Sequence, residues 1–81
     1  MSTRHPRTSL NNVLQNMYGA NVLAHTRWEF KESSSPNSPT WEASFYIDDM
    51  NYGTALANTK GAAQDEAARI AYDNLKREGY S

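Results

Sequence analysis

The stretch "LANTKGAAQDEAARIAYDNL", Leu56 to Leu75, decides how the rest of the chain is read. Thr59 can cap a helix with its hydroxyl, and Ala63, Ala67, Ile70, Ala71 and Leu75 then recur at helical spacing. The spacing predicts a helix from near Thr59 to near Glu78, stopping before Gly79. Its inner stripe is mostly alanine, so it can lie close against a sheet. Asp65 with Arg69, and Asp73 with Arg77, stand four apart and are expected to pair on the outer face. Lys60 is out of place electrostatically, because a cation at a helix start faces the positive end of the macrodipole. That position suits an incoming anion.

Working back from this helix, "WEASFYID" alternates with a period of two. Trp41, Ala43, Phe45 and Ile47 point inward, with Glu42, Ser44, Tyr46 and Asp48 outward. "VLAHTRWEFK" shows the same alternation, with Val22, Ala24, Thr26, Trp28 and Phe30 on the inner side and His25 on the outer. "YGTALAN" is a third, weaker strand, reached through a turn at Asp49-Met50-Asn51. Between the first two strands, "ESSSPNSPT" carries two prolines and four serines and reads as an exposed loop. Upstream, Leu10, Val13, Leu14 and Met17 mark one face of a short helix. Thr8 or Ser9 can cap that helix, and Gly19 suits the position past its end. Met1 to Arg7 reads as a flexible tail, with the domain over residues 8–79 and residues 80–81 as its end. The expected fold is α+β in the order α-β-β-β-α, with a three-stranded antiparallel sheet and two helices packed on one face.

Composition narrows the function classes. At 81 residues the chain is one domain, and the small core calls for its large aromatic side chains. There is no cysteine, hence no disulfide framework and no thiolate zinc site. A reducing, intracellular location, cytoplasmic or nuclear, is the expectation. No apolar run approaches the ~20 residues that span a bilayer, and "MSTRHPR" lacks the apolar core of a secretory signal. The net charge of -1 and a pI near 6.0 argue against a general polyanion binder and leave room for a local basic patch. His5 and His25 are isolated, so no metal site is expected. Asp48 and Asp49 are neighbours in a strand-and-turn context, where adjacent side chains diverge. No nucleophile–base pair stands out, and neither catalysis nor a cofactor is expected.

The element order and the "TKGAAQDEAARIA" segment resemble the double-stranded RNA-binding domain family, over roughly Thr8 to Glu78. That family ends in Gly-x-Gly, a Ser or Thr, then Lys-Lys-x-Ala-Lys-x-x-Ala-Ala. Thr59 stands at the Ser/Thr place, Lys60 at the first lysine, Ala63 at the first alanine, and Ala67 and Ala68 at the final pair. In the first helix the family's Leu-x-Glu-x-x-Gln becomes Leu10, Asn12 and Gln15. Its Gly-Pro-x-His loop survives as Pro36 and Asn37 ahead of Trp41. Departures are equally plain. Gly61 and Gln64 replace two lysines, Ala55 and Ala57 replace the paired glycines, and Asn12 replaces a glutamate.

The resemblance implies binding of A-form duplex RNA by shape, through phosphates and 2′-hydroxyls, without strong sequence specificity. It points to Thr59, Lys60, Gly61 and Gln64 for phosphates across the major groove. Asn12 and Gln15 would serve one minor groove, and Pro36, Asn37 and Ser38 the other. Each of these polar residues also has a plain role as solvated surface. With two of three lysines exchanged, the expected affinity is weak and its salt dependence shallow, with Arg4 and Arg7 restoring some of the charge if the tail folds over the duplex. A second reading keeps the fold as a protein-interaction module, forming a homodimer or holding a protein partner after loss of RNA binding. A third makes the chain a piece of a larger RNA-processing enzyme, although Met1 fits a complete short chain.

Overall fold

The computed structural model describes residues 5–33 and 39–79, and the following statements concern those. The chain runs through α1 (Pro6–Tyr18), a 3-10 turn (Gly19–Asn21), α2 (Val22–His25), β1 (Thr26–Ser33), β2 (Thr40–Ile47), β3 (Met50–Ala57) and α3 (Lys60–Arg77). The sheet is antiparallel in the order β1-β2-β3. One short helical turn aside, this is the α-β-β-β-α order that the hydrophobic periodicities imply.

α1 buries Leu10, Val13 and Leu14, as its spacing requires. It begins earlier than expected. His5, rather than Thr8 or Ser9, is the N-cap, its ring accepting from the Arg7 amide at 3.3 Å. Pro6 at the first helical position lacks an N–H that the helix could not have used, and its fixed φ is already helical. The helix therefore takes in part of the stretch read as a tail. Gly19 ends it with φ at +58°, a backbone conformation that any Cβ would strain.

Val22 to His25 were expected in the first strand and form α2 instead. The Thr26 hydroxyl donates to the Val22 carbonyl at 2.9 Å, closing that turn at its C-terminal end. His25 leaves the outer sheet position assigned to it and stacks on Tyr18, with ring centroids 4.1 Å apart. Ala24, expected inward, is exposed, whereas Val22 still packs on the core. From Thr26 onward the alternation holds. Trp28 pairs with Phe45 and Phe30 with Ala43, and Ala43 in turn pairs with Ala55.

The hairpin between β2 and β3 turns at Asp48-Asp49, with Met50 and Asn51 already in β3. Both aspartates have positive φ, 50° and 69°. A two-residue turn matching the strand twist needs that conformation, and Asp is among the few residues that tolerate it. Two neighbours hold it: His25 Nδ1 lies 2.8 Å from the Asp48 carboxylate, and Arg27 Nη1 donates to Asp49 at 2.7 Å. These aspartates build a corner. Two residues later the register shifts, making Tyr52 the extra residue of β3, and its carbonyl accepts from the Asn74 side-chain Nδ2 at 2.8 Å.

α3 begins at its expected place and buries Ala63, Ala67, Ala68, Ala71 and Leu75 completely. With Leu10, Val13, Leu14, Phe45 and Ile47, the lower part of this stripe forms the main core. Ala63 and Ala67 meet Ala43 and Ala55 in a second cluster. Both long helices thus share the inner face of the sheet, and the other face is left open.

Candidate nucleic-acid interface

The sequence-predicted residues on α3 gather at its first turns. The Thr59 hydroxyl accepts from the Ala62 amide at 3.1 Å, and its carbonyl accepts from the Ala63 amide at 3.0 Å. A cap of this kind is worth about 1 kcal/mol. The amides of Lys60 and Gly61 lie ahead of these bonds and are the ones the helix itself does not use. No acidic residue occupies the first turn, so the positive end of the dipole stays uncompensated within the helix.

Lys60 is exposed at the first helical position, its ammonium 4.5 Å from the centre of the Phe30 ring. An exposed cation–π contact contributes roughly 0.5–1 kcal/mol, enough to bias where a flexible side chain rests. Phe30 itself packs against the alanine cluster from β1. The sheet therefore helps to place the lysine at the helix mouth. Gly61 is exposed, and a Cβ built there meets nothing within 4 Å. Gly61→Lys is accordingly expected to fold and to add one cation. Titration with an RNA duplex over a salt series should give tighter binding and a slope steeper by about one.

Gln64 is half-buried and already engaged, accepting from Arg7 Nη1 at 3.1 Å. Arg7 Nε lies 2.7 Å from the Asp65 carboxylate, with His5 Nε2 at 3.7 Å from the same group. Asp65 therefore faces α1 and does not pair with Arg69 as its spacing suggested. Arg69 instead bridges Glu66 and Asp73, and Arg77 donates to Asn74 at 3.3 Å. The Arg69 hydrogen bond holds the Glu66 carboxyl below the usual carboxylate range, against a small opposing cost of burial. This support is present above the unfolded Glu pKa and fades as pH falls through the depressed one. Exposure keeps it small.

On α1, Asn12 and Gln15 are exposed, one helical turn apart and opposite the buried Leu10–Leu14 stripe. Their amides can both donate and accept. Arg4, Pro36, Asn37 and Ser38 lie outside the described residues. Phe30 escaped the sequence reading as part of this surface, and Arg7 was expected there only as a cation of the tail, not as a partner of Gln64 and Asp65. Arg7 sits 57 positions from Gln64, and no spacing rule connects the two.

The open face of the sheet has different chemistry. A depression there is lined by Glu29, Phe30, Lys31, Glu42, Ser44 and Tyr46. Arg27 lies over the Tyr46 ring at 4.4 Å and pairs with Glu29 and Asp49. Its hydrogen bond to Asp49 raises its pKa further. Two carboxylates against one ammonium, with the nearby guanidinium already paired, make this a poor surface for phosphates. No group of three or more potential metal ligands occurs among the described residues. None of their helices is long and apolar enough to cross a membrane.

A family model described as "Double-stranded RNA binding motif" matches residues 6–75, from the start of α1 through most of α3. A curated relative, Ribonuclease 3 of Aliarcobacter butzleri (strain RM4018), is 36% identical over 67 residues. That alignment covers 82% of this chain and 30% of the relative.

Proposed function

This chain belongs to the double-stranded RNA-binding motif family, and we propose that it binds double-stranded RNA, gripping the duplex along α1 and the start of α3. In this reading the first amides of α3, with Lys60 beside them, meet phosphates across the major groove. Asn12 and Gln15 on α1 reach 2′-hydroxyls in an adjacent minor groove. The observation that carries the reading is the α3 mouth: capped by Thr59, free of acid in its first turn, and furnished with Lys60 braced on Phe30. It assigns no catalysis to these residues. The matched motif is a binding module, and cleavage belongs to the relative's name, of whose length this chain spans 30%.

Contacts to 2′-hydroxyls and to A-form phosphate spacing distinguish RNA from DNA. Fluorescence anisotropy with a duplex of about 20 base pairs, longer than the ~16 such a domain spans, measures this. RNA is expected to bind more tightly than DNA of the same sequence. Raising salt should weaken binding with a shallow slope, as few cations are involved. Equal affinity for both duplexes would remove the minor-groove part of the proposal.

A further inference from the structure

Two helix starts meet near Gln64, and both are electrostatically unusual. α1, like α3, has no acidic residue in its first turn, and each carries a cation there, Arg7 and Lys60. A cation at a helix start is unfavourable unless an anion joins it. Arg7 is nonetheless fixed in place by residues of α3. Its Nε and the Asp65 Oδ1 that it faces are both shut off from solvent, while 42% of its side chain stays exposed. Nη1 donates to Gln64. A guanidinium has five N–H groups in a rigid fork, so with Nε facing Asp65 and Nη1 on Gln64 the two hydrogens of Nη2 are committed to neither.

We propose that Arg7 is a second phosphate-contacting residue of the RNA surface, with Asp65 and Gln64 as the residues that position it. The inference rests on the reading above, in which α3 presents its first turns to the duplex. It supplies a cation beside Gln64, which itself has none to offer. Asp65 both orients Arg7 and offsets its charge, so the added affinity is modest and the geometry well defined. A guanidinium suits this task better than an ammonium because its planar fork can hold the anchor and a phosphate together.

The test is RNA-duplex titration of Arg7→Gln, Arg7→Lys and Lys60→Ala over a salt series, with thermal melting alongside. Arg7→Gln is expected to bind several-fold more weakly with a salt slope lower by about one, while Arg7→Lys keeps the slope. A purely structural role for Arg7 would lower the melting temperature of Arg7→Gln and leave the slope unchanged, which overturns the proposal. If Lys60→Ala lowers the slope and Arg7→Gln does not, this inference falls and the helix-mouth reading stands. If the unsubstituted domain does not bind the duplex, the earlier reading itself falls. Should Arg7→Gln fail to fold, the Arg7 Nε–H resonance of the unsubstituted domain decides. It is expected to shift as RNA is added, and an unmoved resonance at saturation overturns the proposal.

Discussion

Gly53→Ala is expected to lower the melting temperature by roughly 10–20 °C, the shift that a loss of about 2–3 kcal/mol produces in a domain of this size. Gly53 lies in β3 beneath α3, where the strand and helix backbones approach closely. A Cβ there would sit 2.4 Å from the Ala67 carbonyl oxygen and 3.0 Å from the Ala71 amide nitrogen. Both are backbone atoms, so no side chain can swing aside. The helix must rise off the sheet, and Ala63, Ala67 and Ala71 then lose contacts that their small size made possible. Small domains have little stability to spare, about 5–15 kcal/mol for native proteins in general and less for the shortest. Gly53→Val should therefore leave little folded protein. Gly61→Ala is the matched control: its Cβ meets open space. Its melting point should be unchanged or slightly raised, since alanine is the better helix former. Equal melting of Gly53→Ala and the parent would contradict the close packing of α3 on β3.

Lys60→Ala is expected to weaken RNA binding by roughly tenfold to a hundredfold, the range for a hydrogen bond to a charged group of about 1.5–3 kcal/mol. Stability should barely move. The substitution gives up the contact with Phe30, worth roughly 0.5–1 kcal/mol, and relieves an unfavourable cation at the helix start of about 0.3–1 kcal/mol. The two nearly cancel. Melting and anisotropy on the same sample therefore separate a binding defect from a folding defect. Undiminished affinity with an unchanged salt slope would remove Lys60 from the interface.

How much of this could be read from sequence depends on whether the determinants were local. α3 was legible almost to the residue, because its cap, its alanine stripe and its end all lie within one stretch. β2 was legible because one face is buried, and a period of two admits no other register. The corner between α1 and β1 was not. "VLAH" satisfies a strand alternation and a helical turn equally well, and the choice is made by the Tyr18–His25 stack and the Thr26 hydroxyl. The Asp48-Asp49 turn was displaced by one residue because Asn and Gly, the usual signals for positive φ, are absent from it.

For the site, the resemblance led to Thr59 and Lys60, which the fold places together at the mouth of α3. The phenylalanine under Lys60 and the arginine against Gln64 depend on tertiary contacts between distant elements. The pairing of Asp65 illustrates the same limit. Its spacing to Arg69 was ideal, yet Arg7 across the helix interface wins, leaving Arg69 to Glu66 and Asp73.

The central claim is that duplex RNA lies along α1 and the start of α3 and leaves the open face of the sheet bare. Amide chemical-shift mapping of the isotope-labelled domain against an unlabelled RNA duplex addresses it without any substitution. Perturbations are expected at Arg7, Asn12, Gln15, Lys60, Gly61 and Gln64. Shifts concentrated instead at Glu29, Ser44, Tyr46 and Leu56, on the opposite face, would contradict it.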